Sequence, residues 1–528
     1  MNAAPPCPAF LRCAAVLAAA LLEFARCAGA ADYYVATNGN DGASGALATP
    51  WRTLQHAVDR AAAGDRVIVR RGAYRQRVVF HRSGLPAAAI TLTNYPSEQP
   101  AIDGRELAVA GSDALVQLNG QSHIAISGFV LRNFRTAARD AVPMGVLVSG
   151  NSTNIRLSHL VIHHIEANFD DGGAPVAGAD AHGIAVYGTH PTEPASGIVI
   201  EDVTIRDCRL GSSEALVLNG NVDGFLVRRC RVQDNNNIGV GVIGHEGTCP
   251  TPALDRARNG ICAGNRVYNI STAGNPAYRR GAGSFDRSAG GIYVDGGASV
   301  VIERNIVHDC DIGIEVASEW DGKSAANVTV RNNFIYRNFT GGIFAGGYAA
   351  DRGGARNCRF IGNTLFSNDT ARSYSGEICL QFHVLNCAFE NNLVYALRNE
   401  GGTAVFVGGP GGAGSAPSNT TFDCNLYFSR AASSSWTWGN AESSSFSQWT
   451  SRGHDANGIF GRNPLLVAPS QGNLHIADDS PARDRGHTRT DVGAVDVDGQ
   501  ARVVGAAVDI GADELPTATA RIATAILR

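Results

Sequence analysis

Only one lysine stands in the chain: of 44 basic residues 43 are arginines, so a step that needs an amine side chain has Lys323 as its one candidate. Glu315, Glu319 and Lys323 follow one another four positions apart, and Asp295 comes earlier in the same region. Three carboxylates and an amine supply two kinds of chemistry. Asp295, Glu315 and Glu319 offer the oxygen ligands that a hard cation such as Ca2+ takes, and such a cation neutralises a substrate carboxylate and acidifies the neighbouring C–H. Lys323, or an arginine from a loop, is then the base that removes the proton. Asp295 and Glu315 alone form a carboxylate pair of the kind that hydrolyses a glycosidic bond. Flat faces for a substrate come from Tyr187, Tyr293, Phe344 and Tyr348, and polar contacts from His245, Arg279 and Arg280. Plainer roles compete with these. Asp295 precedes Gly296-Gly297 and suits a turn, and Lys323 follows Asp321-Gly322 and suits a solvated one. Glu315 resists that reading, because an acidic residue in mid-strand is disfavoured unless something pairs with it.

A repeated unit places these residues. Gly183-Ile184-Ala185-Val186, Gly239-Val240-Gly241-Val242, Gly291-Ile292-Tyr293-Val294, Gly313-Ile314-Glu315-Val316 and Gly342-Ile343-Phe344-Ala345 each read as a short strand opened by glycine. Runs such as Val328 to Ile335 add two more short strands separated by a bend. Such strands cannot bury an apolar face alone, so the coils must stack, as in other solenoids with repeats of about 20 to 50 residues. Aligning the glycines sets Tyr293, Glu315 and Phe344 in one outward column and Asp295 in the next. Asp295 and Glu315 are then diagonal neighbours on one exposed wall. Asn265, Asn305, Asn333, Asn363, Asn392 and Asn425 recur at a second fixed position, where stacked amides satisfy one another. Insertions at residues 167–181, 247–259 and 271–289 are expected to rise beside the acidic cluster and make a groove.

The fold class expected is all-β, a right-handed parallel β-helix over residues 31–428. A short helix in residues 51–63 covers its N-terminal end, an irregular cap follows over 429–515, and a tail over 516–528. Residues 1–30 read as a signal peptide, with an apolar run from Cys13 to Phe24 and small residues at Ala28 and Ala30. The run is too short to span a membrane. Without the leader's Arg12, Arg26 and Glu23 the formal charge moves from −4 to −5, which argues against nucleic acid as a partner. Cys249 and Cys262 bracket a loop and are expected to form a disulfide in an oxidising compartment. Cys208, Cys230 and Cys310 suit the core.

The stretches Tyr33 to Gly42, Thr49 to Leu54 and Ala63 to Tyr74, with the ending Asp509 to Glu514, resemble bacterial right-handed β-helix proteins of the pectate lyase-like superfold. Glu315 to Ser324 resembles the calcium-and-lysine stretch of chondroitinase B-like lyases. The Asn-Thr-Asp, Asp-Asp and Gly-His-Gly set of the polygalacturonase type is absent. The resemblance implies a secreted or periplasmic monomer that meets an extracellular polysaccharide, with Ca2+ as the one cofactor. The reaction expected first is β-elimination on a uronate polymer. A glycoside hydrolase and a non-catalytic glycan- or surface-binding solenoid are the alternatives.

Overall fold

The computed structural model describes residues 29–172, 178–373, 375–396, 402–407, 417–430, 434–439 and 441–516. The leader up to residue 28 and the tail beyond 516 lie outside them. By contacts the chain divides into two compact units, Met1–Ile261 with Asn269–Ala289, and Cys262–Tyr268 with Gly290–Arg528. Both are stretches of right-handed parallel β-helix, together about 13 turns, and helix is minor.

Each turn runs through three short strands. In the first unit His182–Gly188, Ala195–Glu201 and Thr204–Arg206 make one turn, and the second unit repeats this with Ile312–Ala317, Thr329–Arg331 and Phe334–Tyr336. We call the three sheets so formed the first, second and third walls. Pairing within each unit is parallel and in register, for example Ile184↔Leu216 and Ile314↔Ile343. Alternation sends Ile184, Val186, Ile314 and Val316 into a fully buried interior. The bend from second to third wall is made by one residue in the left-handed region, such as Asp202 (φ 54°), Arg304 (φ 56°) and Asn332 (φ 54°). That conformation turns the chain sharply, and Asn and Asp tolerate it better than most residues.

The asparagine column of the second unit is continuous. Nδ2 of Asn265, Asn305, Asn333, Asn363 and Asn392 each donates to Oδ1 of the next member at 2.9 to 3.0 Å, and the same Oδ1 accepts a backbone N–H. Asn425 ends the ladder by donating to Asp455 at 2.7 Å. The other Asp455 oxygen accepts from Tyr427 and Trp449, each at 2.8 Å. Asn363→Ala would strand the backbone N–H of Asn333 and take a donor from the Val330 carbonyl in the core, while Asn333 Nδ2 keeps Ile302 O and Asn392 Oδ1 keeps the N–H of residue 363. Each buried orphan costs about 1–3 kcal/mol, so a loss of about 3 kcal/mol is expected in a urea melt.

The N-terminal helix is Leu54–Arg60, with the Thr53 side chain at its cap and Leu54, Ala57 and Val58 buried. At the other end Ser434–Trp438 pairs antiparallel with Ala441–Ser443 and a helix follows at Phe446–Ser451, with Trp436 and Trp449 buried. Residues 463–515 do not continue that end layer. They form a strap along the outer face of the third wall, where Leu474, Ile476, Ala482, Ile510, Ala512 and Leu515 pack on Phe334, Tyr336, Phe366, Leu393 and Tyr395. Among the described residues no helix is long and apolar enough to cross a membrane.

Candidate functional site

In the second unit the first wall brings the acidic residues together. Tyr293 pairs with Glu315, Glu315 with Phe344 and Asp295 with Ala317, so Asp295 and Glu315 share the outer face as diagonal neighbours. One strand spacing across and two residues along put their Cα atoms roughly 8 Å apart. The wall is not open, however: Asp295, Glu315, Tyr293 and Phe344 are all buried. Phe344 packs with Ile312 and Cys379 in an apolar cluster that Phe406 flanks. Beside that cluster the Glu315 carboxyl loses its water, and burial, helped by the charge of Glu319, pushes its pKa up to about 8. Glu315 is therefore a protonated acid at neutral pH.

Beyond the strand, the chain folds back over the wall. Asp295 Oδ1 accepts the backbone N–H of Glu319 at 2.8 Å. Glu319 is exposed as a residue, yet desolvation of its carboxyl raises its pKa, against the pull of Arg352 and of a hydrogen bond from Tyr293. Trp320 and Tyr348 stand exposed on the neighbouring turns, and the Arg352 guanidinium lies 5.2 Å from the Tyr348 ring centre. These turns are in close contact, since Gly354 N–H bonds to Lys323 O and Arg352 to Glu319 O. A Cβ on Gly353 would lie 2.4 Å from the Lys323 carbonyl, which is why glycine stands there.

Several expected roles change in this light. Lys323 sits in an exposed turn closed by its own N–H to Trp320 O, and its ammonium makes no ion pair among the described residues. Tyr293 and Phe344 are buried packing groups and offer no open face, whereas Tyr348 is exposed, as is Trp320, unremarked in the sequence. Asp295, Glu315 and Glu319 do not each bring a carboxylate oxygen within 4.8 Å of the other two; among the described residues the set that is this close lies elsewhere.

The expected sites of the first unit form separate small assemblies. His182 is buried and neutral, its pKa lowered to about 4 by desolvation. Its Nδ1 donates to the Glu214 carbonyl at 2.9 Å, so its Nε2 accepts from the Tyr187 hydroxyl at 2.8 Å. The Tyr187 hydroxyl is thereby held on its own strand, and the residue is half-buried. Arg279 pairs with Asp170 at 2.7 Å and Arg280 with Asp286. The Arg279 pair joins two of the insertions around a small cavity of about 120 Å³ lined by Asn168, Phe169, Arg209 and Asn275.

The expected disulfide between Cys249 and Cys262 is not formed, and both residues are buried. Their loop is held by a carboxylate instead. Asp255 accepts the N–H groups of Gly247 at 2.6 Å and Cys249 at 2.8 Å, and its carbonyl accepts His245 N–H at 2.7 Å. The Cys249 thiol donates to the His190 carbonyl. Cys208, Cys230 and Cys310 are buried as expected.

Two family models match the chain: Pel9A-like, right handed beta helix region, over residues 33–189, and Right handed beta helix region, over residues 283–448. The uncharacterized protein YwoF of Bacillus subtilis (strain 168) is 37% identical over 484 residues, covering 90% of this chain and 98% of that protein. Pectate lyase PEL9 of Emericella nidulans is 39% identical over 80 residues, 15% of this chain and 20% of that one. The crystal structure of pectate lyase Pel9A aligns with 93% of this chain and 97% of its own at 14% identity and a TM-score of 0.48.

Proposed function

The chain belongs to the family of right-handed β-helix proteins that includes YwoF of Bacillus subtilis, and from that membership and the chemistry of the first wall we propose that it is an enzyme acting on a neutral glycan by hydrolysis. The geometry carries this reading: Glu315 and Asp295 are diagonal neighbours on one face of the first wall, and burial raises the Glu315 pKa to about 8. Both are buried, so the reaction requires the side chains over the wall to part; Glu315 then donates its proton to the leaving glycosidic oxygen, and Asp295 is the carboxylate that meets the sugar or its water. Exposed Tyr348 and Trp320 offer flat faces on which a sugar ring stacks. The acidic side chains of Asp295 and Glu319, beside a neutral Glu315 and with Arg352 as the near cation, are a poor surface for a polymer of uronates, since carboxylates repel one another in a desolvated site.

A second reading, β-elimination on a uronate polymer, draws on the Pel9A-like match and the short stretch of likeness to a pectate lyase. The two separate in one assay. Purified protein is incubated with neutral glycans and with pectate, alginate and glycosaminoglycans, following both reducing ends and the absorbance of unsaturated products. Hydrolysis predicts new reducing ends from a neutral glycan with no absorbance change. Lys323→Ala is then expected to leave the rate within about twofold. A loss of 100-fold or more in that variant, with absorbance rising on a uronate polymer, would restore the lysine as a base and sink the hydrolase reading.

A further inference from the structure

The strap carries a group that the wall chemistry does not use. His475, Asp498 and Asp513 each place one donor atom within 4.8 Å of the others, and among the described residues they are the one such set. They come from three separate stretches of the strap. Asn473 Oδ1 accepts both the backbone N–H of His475 at 3.2 Å and its ring Nδ1 at 2.6 Å. The backbone bond fixes that atom as the oxygen, so Nδ1 carries a hydrogen and Nε2 is the nitrogen turned toward Asp498 Oδ2, 2.7 Å away. Without a metal this contact is an imidazolium N–H donating to the carboxylate. The buried Asp513 and the fully buried Asp496, whose Oδ1 accepts the Asp498 N–H, add acidic groups around the same point. A divalent ion that displaces the Nε2 proton would meet two carboxylates and an imidazole already held by a hydrogen bond at its far nitrogen, the usual form of a metal ligand.

We propose that His475, Asp498 and Asp513 bind a divalent ion of the zinc class, which pins the strap to itself on the third wall. One imidazole and two carboxylates suit a borderline ion better than calcium, which takes six to eight oxygens. Tetrahedral bonds of about 2.0 Å set ligands roughly 3.3 Å apart, so Asp498, which is exposed, opens by about half an ångström on binding. His475 is backed by the Phe334 ring, edge to face at 5.2 Å, and stays in place.

The test uses tag-free full-length chain stripped with EDTA and titrated calorimetrically with ZnCl2 at pH 7.5. One saturable equivalent is expected, with a Kd at least tenfold weaker in His475→Ala and in Asp498→Asn, and no competition from equimolar CaCl2. Zinc is also expected to slow proteolytic cutting within residues 463–515 in the wild type and not in the variants. Asp498→Asn alters an exposed side chain, so it remains informative if His475→Ala melts early. Absence of saturable zinc binding, wild-type affinity in Asp498→Asn, or displacement by calcium would each overturn the proposal.

Discussion

Glu315→Gln is expected to lower kcat on the hydrolysed glycan by about 10²- to 10⁴-fold, the usual contribution of a general acid, with KM little changed. Glutamine keeps the shape of the side chain and removes the proton that the leaving oxygen needs. The same substitution acts on stability in a direction that depends on pH. Glu315 titrates at about 8 when folded against an ordinary value of 4.5, so between those values the folded chain keeps a proton that the unfolded chain has released. Its contribution is fully present below pH 4.5 and is lost as pH rises through about 8, at up to about 1.4 kcal/mol per pH unit. Glutamine has no charge to desolvate, so the variant should gain on the wild type with rising pH. Urea midpoints at pH 5 and pH 8.5 measure this, and kcat/KM of the wild type should fall above about pH 8 as the acid ionises. A variant that keeps full activity, or one whose stability tracks the wild type at every pH, would remove Glu315 from the role of acid.

The solenoid and the column holding Glu315 were legible in the sequence because both are set by alternation and by the leading glycine of each repeat. Depth was not legible. Glu315 is buried beside an apolar cluster of Ile312 from its own strand with Phe344 and Cys379 from the following turns, and a column alignment gives neighbours without saying which side chains lean over them. The asparagine ladder read correctly for the same periodic reason. Its terminus did not, since Asp455 belongs to an irregular stretch that shares no pattern with the asparagines it serves. The Cys249–Cys262 disulfide failed because spacing around a loop is a weak guide to geometry. A carboxylate inside the loop, Asp255, directly before Arg256, does that stapling. In the first unit nothing local in the sequence reveals that His182 on the same strand turns a lone pair toward the Tyr187 hydroxyl.

Arg502→Leu is expected to destabilise the chain by about 3–5 kcal/mol, the cost of breaking a buried ion pair on one side only. Arg502 is 1% exposed and spends every donor group: Nη1 on Glu514 at 2.6 Å, Nε on Asn332 at 3.0 Å, and Nη2 on the carbonyls of Asp509 and Gly511. Asn332 lies at the bend between the second and third walls and itself donates to Val492 and Val495 carbonyls, so this one guanidinium ties the strap to the coil. Burial raises the Glu514 pKa to about 7 and lowers that of Arg502, yet the short contact keeps them paired. Without the arginine Glu514 must either take a proton or stay charged and alone. A group whose folded pKa is raised stabilises below its unfolded value of 4.5 and loses that contribution as pH rises through the folded value. The deficit of Arg502→Leu should therefore grow between pH 5 and pH 8. Adding Glu514→Gln should recover part of it at pH 8 and little at pH 5, a coupling that a double-mutant cycle of urea midpoints reads directly. Loosening the strap also bares Phe334, Tyr336, Phe366 and Leu393, so the single variant should bind a hydrophobic dye before its main unfolding transition. If the double variant were no more stable than the single one at pH 8, the lone buried carboxylate would not be the source of the loss, and the hydrogen bonds to Asn332 and the two carbonyls would have to carry it.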